Sequence, residues 1–257
     1  MYESDVSAVC TAAKNKANFM DKHMLGFFLM ACMAGVYIAM GSILMGVCGG
    51  VFPGNKLVCG TVFSVGLCMV TMAGSELFTG NNFTMSIGGF SKTVGWGKIV
   101  KFWIICWLGN LVGSVVAAGI FTMTGIPGKG QDDSISMFFS NAAAAKMTGT
   151  PANLFAKAIL CNMCVCIAIW CGFRLKSETA KIIMNFCCVT TFVTCGFEHS
   201  VANMTFLSIG LFNTNGVADI TFGGFAYNLG IVTLGNMVGG ILFIAVPYYL
   251  TAKAKQA

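Results

Sequence analysis

Charged residues and prolines are scarce in this sequence. Asp, Glu, Lys and Arg make up 9% of its 257 residues, and there are only four prolines. A soluble domain carries about 25% charged residues, so the composition excludes an ordinary water-soluble domain. The few prolines do not cluster into a linker. We therefore predict one integral membrane domain over residues 1–257.

The sequence also has little of what enzymes and metalloproteins need. It shows no nucleophile–base pair, nucleotide-binding loop or metal cluster, so we expect no enzymatic activity, cofactor or metal. Cys161, Cys164 and Cys166 could be read as metal ligands, but no His or carboxylate lies beside them, and we interpret them as packing residues. The net charge of +6 is spread over separate short loops, which argues against nucleic acid as a partner.

Apolar residues dominate instead, at 56% of the chain. Runs of this length predict six membrane-spanning segments, at about 24–50, 58–90, 99–124, 152–173, 180–212 and 223–250. Residues 1–23 predict a cytoplasmic amphipathic helix on the membrane surface, and residues 125–150 a polar outer loop.

The Lys and Arg residues predict the orientation of these segments. With six spans both termini lie on one side, which then holds eleven basic residues, Lys255 among them, against four on the other. Cytoplasmic loops carry the excess of Lys and Arg, so both termini are predicted to be cytoplasmic in an inner-membrane protein.

The two halves of the chain repeat the same motifs. LGNLVG at residues 108–113 returns as LGNMVG at 234–239, and G-x-E-x4-N precedes each copy, at 74–81 and 196–203. Three predicted spans fall in each half. The halves cover about residues 24–124 and 152–250. An odd number of spans reverses the second half, which predicts an inverted repeat with its site where the broken helices meet.

Two of the predicted spans carry polar interruptions, at residues 74–82 and 196–203. An ionisable group at this depth is costly unless it faces a cavity or a partner, so Glu76, Glu198 and His199 are functional candidates. The symmetric glutamates predict acceptors for the N–H groups freed by each break, with Asn81 and Asn203 bracing the loops.

Asn110 and Asn236 occupy equivalent positions in the two Leu-Gly-Asn motifs. We predict cross-helix hydrogen bonds for both. A lone histidine in a helix is usually a satisfied core residue, but His199 follows Glu198 inside a break, which favours a pore role. Desolvation would favour its neutral form.

The interrupted motifs, GSELFTGN at residues 74–81 and GFEHSVANM at 196–204, resemble the signature loops of the formate/nitrite transporter family. The resemblance covers nearly the whole chain. The many cysteines and the run Gly80-Asn81-Asn82 resemble its clostridial hydrosulfide channel branch. The resemblance implies an all-α, aquaporin-like fold of six transmembrane helices, two of them broken, with a pore in each subunit of a homopentamer.

The same resemblance implies roles for individual residues. It makes His199 the central pore histidine and Thr79 its hydroxyl partner. Lys146, by its spacing from Asn162, matches the vestibule lysine, and both are assigned to the substrate pathway. The residues implied for the apolar constrictions are Phe63, Leu67, Leu77, Phe78 and Phe192.

These roles imply a passive channel for small monovalent anions or their conjugate weak acids. Hydrosulfide is the first expectation, with formate and nitrite as related substrates. One alternative is a proton-coupled symporter of formate, nitrite or lactate. Another is an aquaporin-like channel for neutral solutes, although neither break contains the proline of the aquaporin Asn-Pro-Ala motif.

Overall fold

The computed structural model describes residues 2–253, and this part of the chain contains helices but no strand. In chain order the helices are α1 (Glu3–Lys22), α2 (Met24–Val51), α3 (Lys56–Met72), α4 (Phe78–Phe90), α5 (Trp96–Met123), α6 (Ser134–Met147), α7 (Pro151–Arg174), α8 (Glu178–Thr194), α9 (Ser200–Phe212), α10 (Phe222–Gly240) and α11 (Val246–Lys253). A π-helical turn, Ile241–Ala245, joins the last two.

Within residues 2–253, four helices are long and apolar enough to cross a membrane. They are α2, α5, α7 and the continuous helix Phe222–Lys253, and they match four of the six predicted spans. The other two predicted spans, 58–90 and 180–212, are each a pair of shorter helices, α3 with α4 and α8 with α9. Each half therefore has the order long helix, broken pair, long helix.

Glycine allows the long helices of each half to pack closely. A Cβ on Gly113 would overlap the Cys32 carbonyl of α2, and one on Gly239 would overlap the Ile159 carbonyl of α7. These two glycines end the repeated LGNxVG motif. The motif therefore lets α5 approach α2, and α10 approach α7, backbone to backbone, as small residues do in membrane helix pairs.

The two breaks have matching backbone geometry but are shorter than predicted. Helix is lost over residues 73–77 and 195–199, and it resumes at Phe78 and Ser200. Gly74 and Gly196 adopt φ values of 78° and 72°, in the left-handed region that glycine enters without strain. Residues 78–82 and 200–203, predicted as loop, are helical because Asn110 and Asn236 accept the first free N–H of each new helix.

The predicted polar loop at 125–150 is also partly helical, since α6 occupies Ser134–Met147. Asp133 caps it by accepting from the Ser136 N–H at 2.6 Å. Phe138 and Phe139 of α6 lie against Gly49 and Gly46 of α2, where no Cβ would fit. The expectation of a loop was wrong because polar residues surround an alanine-rich run that forms helix readily.

The N-terminal helix α1 is present, but its apolar face packs on protein rather than on the membrane surface. Its buried residues recur at helical spacing: Val6, Val9, Ala13, Ala17 and Met20. Salt bridges join Asp5 to Arg174 at 3.0 Å and Asp21 to Lys98 at 2.6 Å. These contacts hold α1 against the helical body and direct Lys16 toward the first break.

Candidate functional site

The two interrupted motifs meet at a polar contact inside the protein. Thr79, in the first turn of α4, and His199, the N-cap of α9, are both buried. Thr79 Oγ1 lies 2.9 Å from His199 Nε2. The structure thus brings together the two residues that the family resemblance implied as partners.

Hydrogen bonding assigns the tautomer of His199. Its Nδ1 accepts the backbone N–H of Ala202 at 3.1 Å, so this nitrogen carries no proton. In a neutral imidazole the proton is then on Nε2, which donates to Thr79 Oγ1. The Thr79 hydroxyl proton is left free to donate to a solute.

The central pair is not repeated by the internal symmetry. Since Asn110 caps Phe78 and Asn236 caps Ser200 with equal N–H···O distances of 2.9 Å, these positions correspond. Under that correspondence His199 matches Leu77, and Thr79 matches Val201. The Thr79–His199 pair therefore has no counterpart at the equivalent positions, Leu77 and Val201.

Aromatic rings cover one side of His199. The Phe192 ring stacks on the imidazole, with centroids 5.8 Å apart and planes 18° apart. Phe63 meets Phe192 edge-on at 6.0 Å. Both phenylalanines line one cavity with His199. We call this pair the apolar collar, and its role as a constriction stays a prediction.

The remaining predicted constriction residues have different surroundings. Leu77 is buried and lines a second cavity. Leu67 is buried in the same apolar core as Phe63 and Phe192. Phe78 is buried and borders an apolar groove between α5 and α10, together with Trp103 and Trp107. The constriction roles of Leu67, Leu77 and Phe78 stay predictions.

Two cavities approach the pair from different sides. One, of about 480 Å³, is lined by Lys16, Glu76, Leu77 and Gly80, and we call it the Lys16 vestibule. The other, of about 400 Å³, is lined by Lys146, Glu198, His199 and Ala202, and we call it the Lys146 vestibule. Since Leu77 and Gly80 flank Thr79 in sequence, the Thr79–His199 contact lies between the two cavities.

Each break glutamate forms an ion pair at the edge of its vestibule. Lys16 Nζ donates to Glu76 at 2.6 Å, and Lys146 Nζ donates to Glu198 at 2.9 Å. The following asparagine of each motif, Asn81 or Asn203, donates to the same carboxylate, at 2.9 Å and 2.6 Å.

The prediction that the glutamates accept free backbone N–H groups was wrong. Asn110 and Asn236 accept them instead, because their side chains reach across from α5 and α10. Each asparagine also donates to two carbonyls: Asn110 to those of Ala31 and Glu76, and Asn236 to those of Ala158 and Glu198. Their predicted cross-helix hydrogen bonds are confirmed.

Asn162 contacts the backbone beside the central pair. Its amide group lies 3.2 Å from the Thr79 carbonyl and 2.7 Å from the Asn236 carbonyl, and it is fully buried. Cys166 Sγ lies 3.6 Å from the same Thr79 carbonyl. Both residues hold the peptide that carries Thr79, and the predicted place of Asn162 in the substrate pathway stays a prediction.

Sequence reasoning missed Lys16, the counterpart of Lys146. The available signal was the repeat itself: once Glu198 is given a lysine partner, Glu76 requires one too. Lys16 lies in an N-terminal helix far from the motif in sequence, so nothing local identified it. Residues 2–253 contain no cluster of three or more His, Cys, Asp and Glu side chains able to hold a metal.

Comparison with known proteins shows which sequences are similar to this chain. The family described as "Formate/nitrite transporter" matches residues 3–250. The "Nitrite transporter NirC" of Salmonella typhimurium is 36% identical, over 100% of this chain and 94% of that protein.

Two solved structures are similar. An "FNT family ion channel" superposes with a TM-score of 0.91 at 35% identity, covering 96% of this chain and 98% of that one. A "Pentameric formate channel with formate bound" superposes with a TM-score of 0.77 at 30% identity, covering 90% and 98%. These relatives are described as transporters and channels rather than enzymes. The chain is a membrane protein and belongs to the formate/nitrite transporter family.

Proposed function

We propose that the protein is a passive channel for small monovalent anions or their conjugate weak acids. The observation that carries this proposal is the buried Thr79–His199 contact, which lies between two cavities that each hold a lysine. The lysines would attract an anion from solution, and the central hydroxyl would replace part of its hydration shell. The buried Phe63 and Phe192 rings beside His199 would exclude hydrated cations and large solutes.

The apolar collar sets the main energetic problem for the solute. A bare charge loses its hydration at the Phe63 and Phe192 rings, which costs far more than passage of a neutral acid. The Thr79 hydroxyl can donate to an anion while its oxygen accepts from His199. A weakly basic anion, or one that is transiently protonated, therefore suits the path better than a strongly hydrated ion.

For the substrate we propose the group of formate, nitrite and hydrosulfide. Formate and nitrite are supported by the names of the matched relatives. Hydrosulfide, the first expectation from sequence, rests only on the resemblance of Gly80-Asn81-Asn82 and the cysteine-rich composition to one branch of the family. All three are small, carry one negative charge and have a conjugate acid accessible in water.

Membrane topology forms part of the same proposal. We propose six spans in two inverted three-helix repeats, residues 24–124 and 152–250, with both termini cytoplasmic in the inner membrane. The equal hydrogen bonds of Asn110 and Asn236 support two equivalent halves. The basic-residue count supports the orientation, although one contributor, Lys255, lies outside the described residues. The pentameric formate channel supports a homopentamer with a pore in each subunit.

A proton-coupled symporter is the second candidate. It would need His199 to gain and lose a proton in each cycle. Protonation of Nδ1 would break the cap on the Ala202 N–H, and loss of the Nε2 proton would produce an imidazolate. The hydrogen bonds therefore favour a donor role for His199 over a proton-carrier role. An aquaporin-like neutral-solute channel is less well supported, because each cavity is edged by a lysine.

Flux measurements on proteoliposomes test the proposal. Purified protein would be reconstituted, and initial rates for formate, nitrite, hydrosulfide and chloride compared with those of empty liposomes. We expect flux of the three weak-acid anions that follows their own gradients, with little for chloride. Formate accumulation driven by a proton gradient alone would show that a proton crosses with each formate, either by symport or as the neutral acid, and would refute flux of the bare anion.

A further inference from the structure

The charged side chains that line the Lys16 vestibule cancel one another. Lys16 pairs with Glu76 at 2.6 Å, and Lys181 pairs with Glu178 at 3.0 Å. Among residues 2–253, these four are the charged residues that line that cavity. Its lining therefore carries no net charge.

The Lys146 vestibule differs in this respect. Lys146 is paired with Glu198 at 2.9 Å, but Lys56 and Lys157 also line this cavity. Neither of these two lysines has an ion-pair partner within residues 2–253. Lys56 begins α3 and is exposed, whereas Lys157 lies half-buried on α7. Among residues 2–253, the lining of the Lys146 vestibule therefore carries two uncompensated ammonium groups, and the lining of the Lys16 vestibule carries none.

We propose that Lys56 and Lys157 make the Lys146 vestibule an anion-accumulating mouth, so that the channel saturates at lower anion concentration from that side. This inference rests on the proposed anion-channel function. At roughly 8 Å in water, one unit charge raises the local concentration of a monovalent anion about 2.4-fold, and two raise it about sixfold. At about 0.15 M salt, screening reduces the combined effect to about twofold.

Reversibility determines how this asymmetry appears in flux. A passive channel cannot pump, so the ratio of maximal rate to half-saturating concentration must be equal from both sides. Accumulation in the Lys146 vestibule therefore lowers the half-saturating concentration and the maximal rate from that side together. The charge difference between the vestibules therefore predicts half-saturating concentrations that differ between the two sides of the membrane, with no net accumulation of anion. A coupled transporter would accumulate the anion, so the two mechanisms can be distinguished.

The test uses right-side-out and inverted membrane vesicles from the same expressing cells, because each exposes one vestibule to the bath. Initial uptake of radiolabelled formate would be measured against formate concentration at about 0.01 M and 0.15 M ionic strength, with the membrane potential held at zero. We expect half-saturating concentrations that differ about sixfold between orientations at low salt and about twofold at high salt.

Variants identify the charges responsible. Lys56→Gln with Lys157→Gln should abolish the difference by raising the half-saturating concentration on one side only, whereas Lys157→Arg should retain it. Glu178→Gln should lower the half-saturating formate concentration on the side of the Lys16 vestibule about 2.4-fold at low salt, because Lys181 becomes unpaired. The neutral double variant Glu178→Gln with Lys181→Gln is the matched control and should change neither side.

Two results would overturn the inference in distinguishable ways. Parent vesicles that conduct formate with equal saturation from both sides, or a sided difference that persists in the Lys56/Lys157 double variant, would refute the charge argument alone. Parent vesicles that take up none of formate, nitrite and hydrosulfide would refute the proposed function, and the inference with it.

Discussion

Replacing Thr79 by valine would remove the hydroxyl of the central pair and so measure its contribution to flux. Valine has the same branched shape, and Val201 occupies the equivalent position in the second half, so this turn of helix accepts it. The change removes the group that lies 2.9 Å from His199 Nε2 and, by the tautomer assignment, the donor that faces the solute. Packing around α4 should be preserved.

The expected loss of flux follows from the strength of that donor. A hydrogen bond to a charged group contributes about 1.5–3 kcal/mol. Each 1.36 kcal/mol added to a barrier slows a rate about tenfold. If the bond is made at the highest barrier, Thr79→Val should reduce anion flux about 10- to 150-fold.

The assay is stopped-flow uptake of nitrite and of formate by proteoliposomes of equal protein content. Thr79→Ser, which keeps the hydroxyl, is the matched control and should conduct within about threefold of the parent. Size-exclusion chromatography would verify that each variant remains folded and assembled. Thr79→Val conducting like the parent would refute the donor role of the Thr79 hydroxyl.

Three further substitutions address the surrounding groups. His199→Asn keeps an N-cap acceptor for Ala202 but removes the ring from Thr79, so flux should decrease at least about tenfold, with stability little altered. An unchanged flux would contradict the central role of His199. Phe192→Ala opens the collar and should admit larger carboxylates such as lactate, measured by uptake; continued exclusion would place the constriction elsewhere. Lys146→Glu sets a second carboxylate against Glu198 and should reduce anion flux most in dilute buffer. The flux should recover as added salt shortens the Debye length to about 8–10 Å and screens the repulsion. Parental conduction in dilute buffer would exclude a vestibule role for this lysine.

The sequence alone determined the membrane class, the repeated motifs and the positions of the two helix breaks. Low charge and long apolar runs sufficed for the class, because the bilayer imposes length and composition on any helix that crosses it. The repeated motifs identified both breaks, because polar residues at that depth require a functional or structural reason. The family also followed from these motifs, and its match over residues 3–250 confirms it.

Tertiary structure decided which partner each polar group has. From sequence, Glu76 and Glu198 were the natural acceptors for the broken backbone, but Asn110 and Asn236 accept those N–H groups and the glutamates bind lysines. Hydrogen bonds between residues distant in sequence depend on how helices pack, which local patterns do not encode. The pairing of Lys16 with Glu76 depends on where α1 docks. The net charge of each vestibule likewise emerges only when side chains from separate helices surround one cavity.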